Sequence, residues 1–157
     1  MRGCVFCDVI AGRVQASIVY RDDVCIAFMD TRPITIGHVL VMPVNHAALL
    51  SDLDAETAAH MMRVAQRIDI ALRTSPHRCE GVYMLLWDGA GAGQEVFHVH
   101  MHAFPAYRND GFALQFPPGF GRLPPRDELE KAAALIRTAL AATDPNANEN
   151  AEDPPKP

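Results

Sequence analysis

The sequence predicts an α+β domain. Five short segments rich in β-branched and aromatic residues are bounded by turn residues. Two longer stretches carry apolar residues at the three- and four-residue spacing of a helix. Residues 98–102 read His-Val-His-Met-His, an alternation that belongs to a strand.

Ser17–Arg21 and Val24–Met29 flank Asp22-Asp23 and read as a hairpin. After Asp30, the stretch Thr31–Gly37 contains Pro33 and reads as a turn, and His38–Met42 forms a third strand that stops at Pro43. Asp54 is placed to cap a helix over 55–73, in which Met61, Ala65, Ile68 and Leu72 make one buried stripe. Gly81–Trp87 is a fourth strand. The loop Gly89-Ala90-Gly91-Ala92-Gly93 leads to the fifth, Val96–Phe104. Tyr107–Pro125 is rich in Gly, Pro and Phe and reads as a surface loop. A second helix near Arg126–Ala142 presents Leu129, Ala133, Ile136 and Leu140 on one face. The segment Thr143–Pro157 has four prolines and three asparagines and no apolar side chain larger than alanine. It cannot bury enough surface to offset its ordering entropy and is expected to be disordered. One domain over 1–142 with an acidic, proline-rich tail over 143–157 is the expected organisation.

Apolar residues make up 49% and charged residues 21% of 157, an ordinary globular balance. No run of about eighteen apolar residues exists to span a membrane, and the N-terminus lacks an apolar signal segment. A cytoplasmic location is the default expectation. A net charge of −5 argues against a nucleic-acid binder. The tail holds Asp144, Glu149, Glu152, Asp153 and Lys156, so the body is near −2.

On a strand, His98, His100 and His102 share one face at roughly 6–7 Å intervals, with Val99, Met101 and Ala103 on the other. Imidazoles demand polar partners, so three in a row behind a glycine-rich loop mark a site. Glycines let backbone N–H groups approach anionic oxygens, although most glycine-rich loops merely turn the chain. Cys4 and Cys7 form a C-x-x-C pair, which alone fits half a metal site, a redox pair or two plain thiols. Cys25 and Cys79 read as packing residues. His60 and His77 fit no motif and are expected to be solvated.

The run Gly93-Gln94-Glu95-Val96-Phe97-His98-Val99-His100-Met101-His102-Ala103-Phe104 resembles the signature of the histidine triad family of nucleotide hydrolases and transferases, H-φ-H-φ-H-φ-φ with φ apolar. Cys4–Gly12, Phe28-x-Asp30 and Gly37-His38-Val39-Leu40-Val41-x-Pro43 match in the same order, so the resemblance covers residues 4–105. It implies an antiparallel sheet of about five strands with one long helix packed on it, a C-terminal helix, and a homodimer built through the long helix and fourth strand, where Met61, Met62 and Trp87 would supply apolar contact. It also implies cleavage of a nucleoside 5′-phosphoramidate or related purine nucleotide at the α-phosphate. His100 would be the nucleophile, its Nδ1 proton held by the carbonyl of His98, and the product a nucleotidyl-histidine that water cleaves. His102 would hydrogen-bond a phosphate oxygen and His38 would support the nucleophile and a proton relay. Asp30 would receive the ribose hydroxyls; Phe6, Val9 and Phe28 would wall the base; Gly93 and Gln94 would cradle phosphate. Bacterial members of zinc-containing type hold a structural zinc, which here would fall to Cys4, Cys7, His46 and His98, with no catalytic metal required.

Two positions depart from the family pattern. Glu95 stands where many members carry a Ser or Thr that reaches phosphate, and is expected to face solvent or a cation. Trp87 stands where relatives often place Asn or Gln. Other readings are a dinucleoside polyphosphate hydrolase and a catalytically quiet nucleotide-binding regulatory protein. A metal-dependent hydrolase using the three histidines as ligands is disfavoured because Ala103-Phe104 offers no ligand. The transferase branch ends its triad in Gln, so His102 favours hydrolysis.

Overall fold

A computed structural model of the chain describes residues 3–76 and 78–143. The described residues fall into two compact units, divided between Phe112 and Ala113. The first contains a short helix α1 (Val5–Ile10), strands β1 (Ile18–Arg21), β2 (Cys25–Met29) and β3 (Val39–Pro43), the long helix α2 (Ala55–Thr74), and strands β4 (Gly81–Leu86) and β5 (Met101–Ala106). The strands make one antiparallel sheet in the order β1-β2-β3-β5-β4. The fold is therefore the expected α+β arrangement.

Alternation along the central strands sorts their side chains onto two covered faces. Cys25, Ala27, Val39, Val41, Met101 and Ala103 pack against Met61, Val64, Ala65, Ile68 and Leu72 of α2. Ile26, Phe28, Leu40 and Met42 point the other way and meet Phe6 and Val9 of α1. Because both faces are covered, β2 and β3 read as continuous apolar runs rather than as alternating ones. The register pairs Leu40 with His102, which puts His102 on the α1 face. Asp54 caps α2 as expected, its carboxylate accepting the Thr57 N–H at 2.8 Å.

Several expectations are corrected. Helix α1 is absent from the sequence reading; at six residues it is too short to show a period. β5 begins at Met101 rather than Val96. Its β3 partner stops pairing after Val41. Beyond that lies Pro43, which has no N–H to offer and whose carbonyl is taken by the His98 ring. Met61 is 1% exposed and belongs to the core, so it is not free for an interface, whereas Met62 is 55% exposed. His60 is not simply solvated: its Nε2 lies 2.6 Å from Asp22 Oδ2. His77 lies outside the described residues.

In the second unit, α3 (Arg126–Thr143) forms where its periodicity predicts, one residue into the segment expected to be disordered. The rest of that segment, 144–157, lies outside the described residues. The apolar stripe of α3 is not buried: Leu129, Ile136 and Leu140 are 46%, 62% and 52% exposed. Among the described residues no helix is long and apolar enough to cross a membrane.

Candidate active site and metal centre

A cavity of about 520 Å³ opens on the α1 face of the sheet. Its floor carries His38, His100 and His102, and Phe6, Val9, Phe28 and Asp30 also line it. The residues expected at the nucleophile, base and ribose therefore converge on one space.

Hydrogen bonds fix where the ring protons sit, because a backbone carbonyl only accepts and a backbone N–H only donates. His100 Nδ1 lies 2.7 Å from the carbonyl of His98 and must donate to it. In the neutral ring this leaves the lone pair on Nε2. His38 Nδ1 accepts the Ile34 N–H at 3.2 Å, so its proton is on Nε2, which donates 2.9 Å to His102 Nδ1. Asp30 Oδ2 stands 3.5 Å from His38 Nδ1, beyond a good hydrogen bond, so the backbone donor decides the tautomer. The proton of His102 must then be on Nε2, a buried atom with no partner among the described residues. A buried unpaired donor at a cavity calls for an acceptor.

All three rings are held neutral. Burial pushes the His100 imidazole below its ordinary value against the opposing pull of the His98 carbonyl and Asp30. Burial also lowers His38. It takes His102 down to about 4, helped by the neighbouring His100 and His38. His38 thus stands behind His102 and not, as the sequence suggested, behind the nucleophile.

The remaining candidates divide. Phe6 sets its ring edge-on to His100 with centroids 5.0 Å apart and to Phe28 at 5.7 Å, an apolar wall beside His100. Asp30 Oδ1 accepts the Arg32 N–H at 2.8 Å, which holds the carboxylate and leaves Oδ2 for the cavity. Gly93 lines the cavity in a left-handed conformation, φ 91°. Its N–H, however, donates to Ala90 O, and that of Gln94 to Gly89 O. The Gln94 side chain is buried and occupied: Oε1 accepts from Gly89 N–H at 2.7 Å, and Nε2 donates to Ala48 O and Val96 O. The expected phosphate cradle at these two residues is a self-bonded loop braced by Gln94. Glu95 meets a cation, as expected: its Oε2 lies 2.9 Å from the Arg32 guanidinium. Arg32 and the Ile34 N–H were not found from sequence, since an exposed turn arginine and a backbone donor carry no pattern.

A second cluster lies beside the first. Cys4 Sγ, Cys7 Sγ, His46 Nδ1 and His98 Nδ1 all lie within 4.8 Å of one another. His98 Nε2 donates to Pro43 O at 2.9 Å, so its Nδ1 lone pair faces the sulfurs. Both sulfurs approach that one lone pair, at 3.7 and 3.6 Å, and Cys7 Sγ lies 3.3 Å from His46 Nδ1. One lone pair cannot accept from two thiols. Zinc bonds of about 2.3 Å to sulfur and 2.0 Å to nitrogen give tetrahedral S···N edges of about 3.5 Å. The donor set fits such an ion. Burial raises the Cys7 thiol, and the adjacent Cys4 raises it further, so a thiolate here needs a cation beside it. Cys25, by contrast, is wholly buried with its thiol pushed up to about 11 by burial, an inert packing residue.

Residues 11–109 match the HIT domain. An uncharacterized HIT-like protein of Mycobacterium tuberculosis is 36% identical over 146 residues, which cover 93% of this chain and 99% of the relative. The crystal structure of a HIT family protein from Bacillus anthracis superposes with a TM-score of 0.80 at 32% identity, over 88% of this chain and 97% of that one. That of a Zn-bound histidine triad family protein from Mycobacterium smegmatis is 38% identical with a TM-score of 0.68, over 90% of this chain and 96% of that one.

Proposed function

Because this chain belongs to the HIT domain family, we propose that it is a nucleotide hydrolase that cleaves a purine nucleoside 5′-phosphoramidate at the α-phosphate. One observation carries this reading: the proton arrangement gives His100 a free Nε2 lone pair beside the unpartnered N–H of His102, on one cavity.

In the first step His100 Nε2 bonds to phosphorus and the P–N bond breaks. Its electron pair goes to nitrogen, which takes a proton from solvent and leaves as the amine. The Nδ1–H···O bond to His98 strengthens as the ring becomes cationic, and the Nε2–H of His102 meets a phosphoryl oxygen as charge builds on it. In the second step a water oxygen bonds to phosphorus, the P–Nε2 bond breaks, and the pair returns to His100. The water proton goes to solvent and the nucleoside monophosphate departs. Asp30 Oδ2 receives a ribose hydroxyl, and Phe6, Val9 and Phe28 hold the base.

Cys4, Cys7, His46 and His98 would hold a zinc ion that ties α1 to the histidine segment. The reduced thiols this requires suit a cytoplasmic protein. We also propose a homodimer. The outer edge of β4 is unpaired within the described residues, and Met62 and Ile70 of α2 are each 55% exposed.

The test is release of AMP from adenosine 5′-phosphoramidate by the wild type and by a folded His100→Asn variant. A loss of about 10³-fold or more in kcat supports covalent catalysis by His100. A variant as active as the wild type rejects it.

A further inference from the structure

We infer that the ion pair between Arg32 and Glu95 selects the leaving group: it admits a neutral or cationic amine and disfavours a leaving group that carries further phosphates. This rests on the hydrolase reading above and names the substrate class within it.

Arg32 belongs to the β2–β3 turn and Glu95 to the segment that leads into His98, and both line the cavity. Their guanidinium and carboxylate meet at 2.9 Å with side chains 83% and 76% exposed, so the bridge lies on the solvent side of the cavity lining.

The charges around the cavity are unusual for a polyphosphate site. Among its described lining residues Arg32 is the only lysine or arginine, while Asp30 and Glu95 are both carboxylates. His38 and His102 each hold a single proton by the hydrogen bonds described above. The one fixed cation is therefore already matched by Glu95. An α-phosphate with a single charge can be served by the N–H of His102. The three additional charges of a dinucleoside tetraphosphate would meet carboxylates and no free cation. Arginine and lysine are the side chains that most often pair with the charge of additional phosphates.

The ring sequence gives the same direction. Phe6 packs on His100, His100 on His102 and His102 on Trp87, with ring centroids 5.0, 4.8 and 4.5 Å apart. Phe6 therefore neighbours His100, and Trp87 neighbours His102. Trp87 offers a flat apolar surface and one N–H donor. It suits an organic group better than a phosphate.

The experiment compares kcat/KM for adenosine 5′-phosphoramidate and for diadenosine tetraphosphate, in the wild type, Glu95→Gln and Arg32→Gln. The wild type is expected to prefer the phosphoramidate. Glu95→Gln releases Arg32 and moves the ratio toward the tetraphosphate by about tenfold, and Arg32→Gln moves it the opposite way. Because the pair is exposed, both shifts shrink in high salt. A wild type that prefers the tetraphosphate, or a ratio unmoved in both variants, overturns the inference and leaves the hydrolase standing. Release of AMP from neither substrate removes the hydrolase reading and this inference with it.

Discussion

His98 serves His100 with its backbone and the cysteine pair with its ring. Its carbonyl oxygen lies 2.7 Å from His100 Nδ1, while its own Nδ1 faces Cys4 and Cys7 at 3.7 and 3.6 Å. Whatever holds the ring in place also holds the carbonyl that fixes the His100 tautomer.

Metal removal tests this link. The purified protein is expected to carry one zinc per chain by elemental analysis. Chelation, or Cys7→Ser, should lower Tm by about 10 °C or more, since binding energy at such a site is folding energy. AMP release should fall with it. A metal-free protein of unchanged Tm would remove the structural role of the cluster.

His38 acts through His102. His102→Ala is expected to cost about 10²–10³ in kcat, the usual effect of losing one oxyanion donor. His38→Phe removes the bond that fixes the His102 tautomer and should cost about tenfold or more. In the His102→Ala background the same His38 change should cost little, because coupled residues are not additive. Additive losses in steady-state kinetics would separate the two residues.

Acid should weaken the fold. His38, His100 and His102 are all held below the ordinary 6.5, His102 at about 4. The unfolded chain therefore binds more protons than the folded one between these values, and stability rises with pH across that window. It is fully present above about pH 6.5 and is lost as pH falls toward 4. With a shift from 6.5 to about 4, His102 alone contributes ~3 kcal/mol. Urea unfolding from pH 8 to 5 should give a plateau above neutrality and a decline below it. A flat profile would mean the rings are not held neutral.

Asp22 ties the β1–β2 turn to α2. Burial alone would raise its carboxyl, but hydrogen bonds from Tyr20, the Cys25 N–H, His60 and the Val24 N–H outweigh it and hold it well below the usual carboxylate range. Asp22→Ala should cost about 1–3 kcal/mol in denaturant unfolding. This contribution is present above the ordinary carboxylate value and is lost as pH falls through it toward the lowered one. A variant as stable as the wild type at pH 7 would make the cluster incidental.

Much of the site was legible because strand alternation is strict. His102 alternates with Met101 and Ala103 along β5, so the sequence alone puts it on the face opposite those two, while His98 and His100 precede the strand. The cysteine spacing and the Asp54 cap were equally local signals. Gln94 misled for the converse reason. A glycine-rich loop before histidines suggests phosphate, but whether its N–H groups are free depends on which carbonyls fold back onto them, and here Ala90 and Gly89 do.

By itself, then, the sequence determined the α+β class, the run of helix and strand periods, and the residue types that carry imidazole and thiolate chemistry. Periodicity and spacing encode these along the chain. Tertiary structure alone decided that His38 bonds to His102, that pairing between β3 and β5 ends before Pro43, whose carbonyl accepts the His98 ring N–H, and that Arg32 closes on Glu95. Each of these is a contact between elements far apart in sequence, set by register and packing, and no local pattern records it.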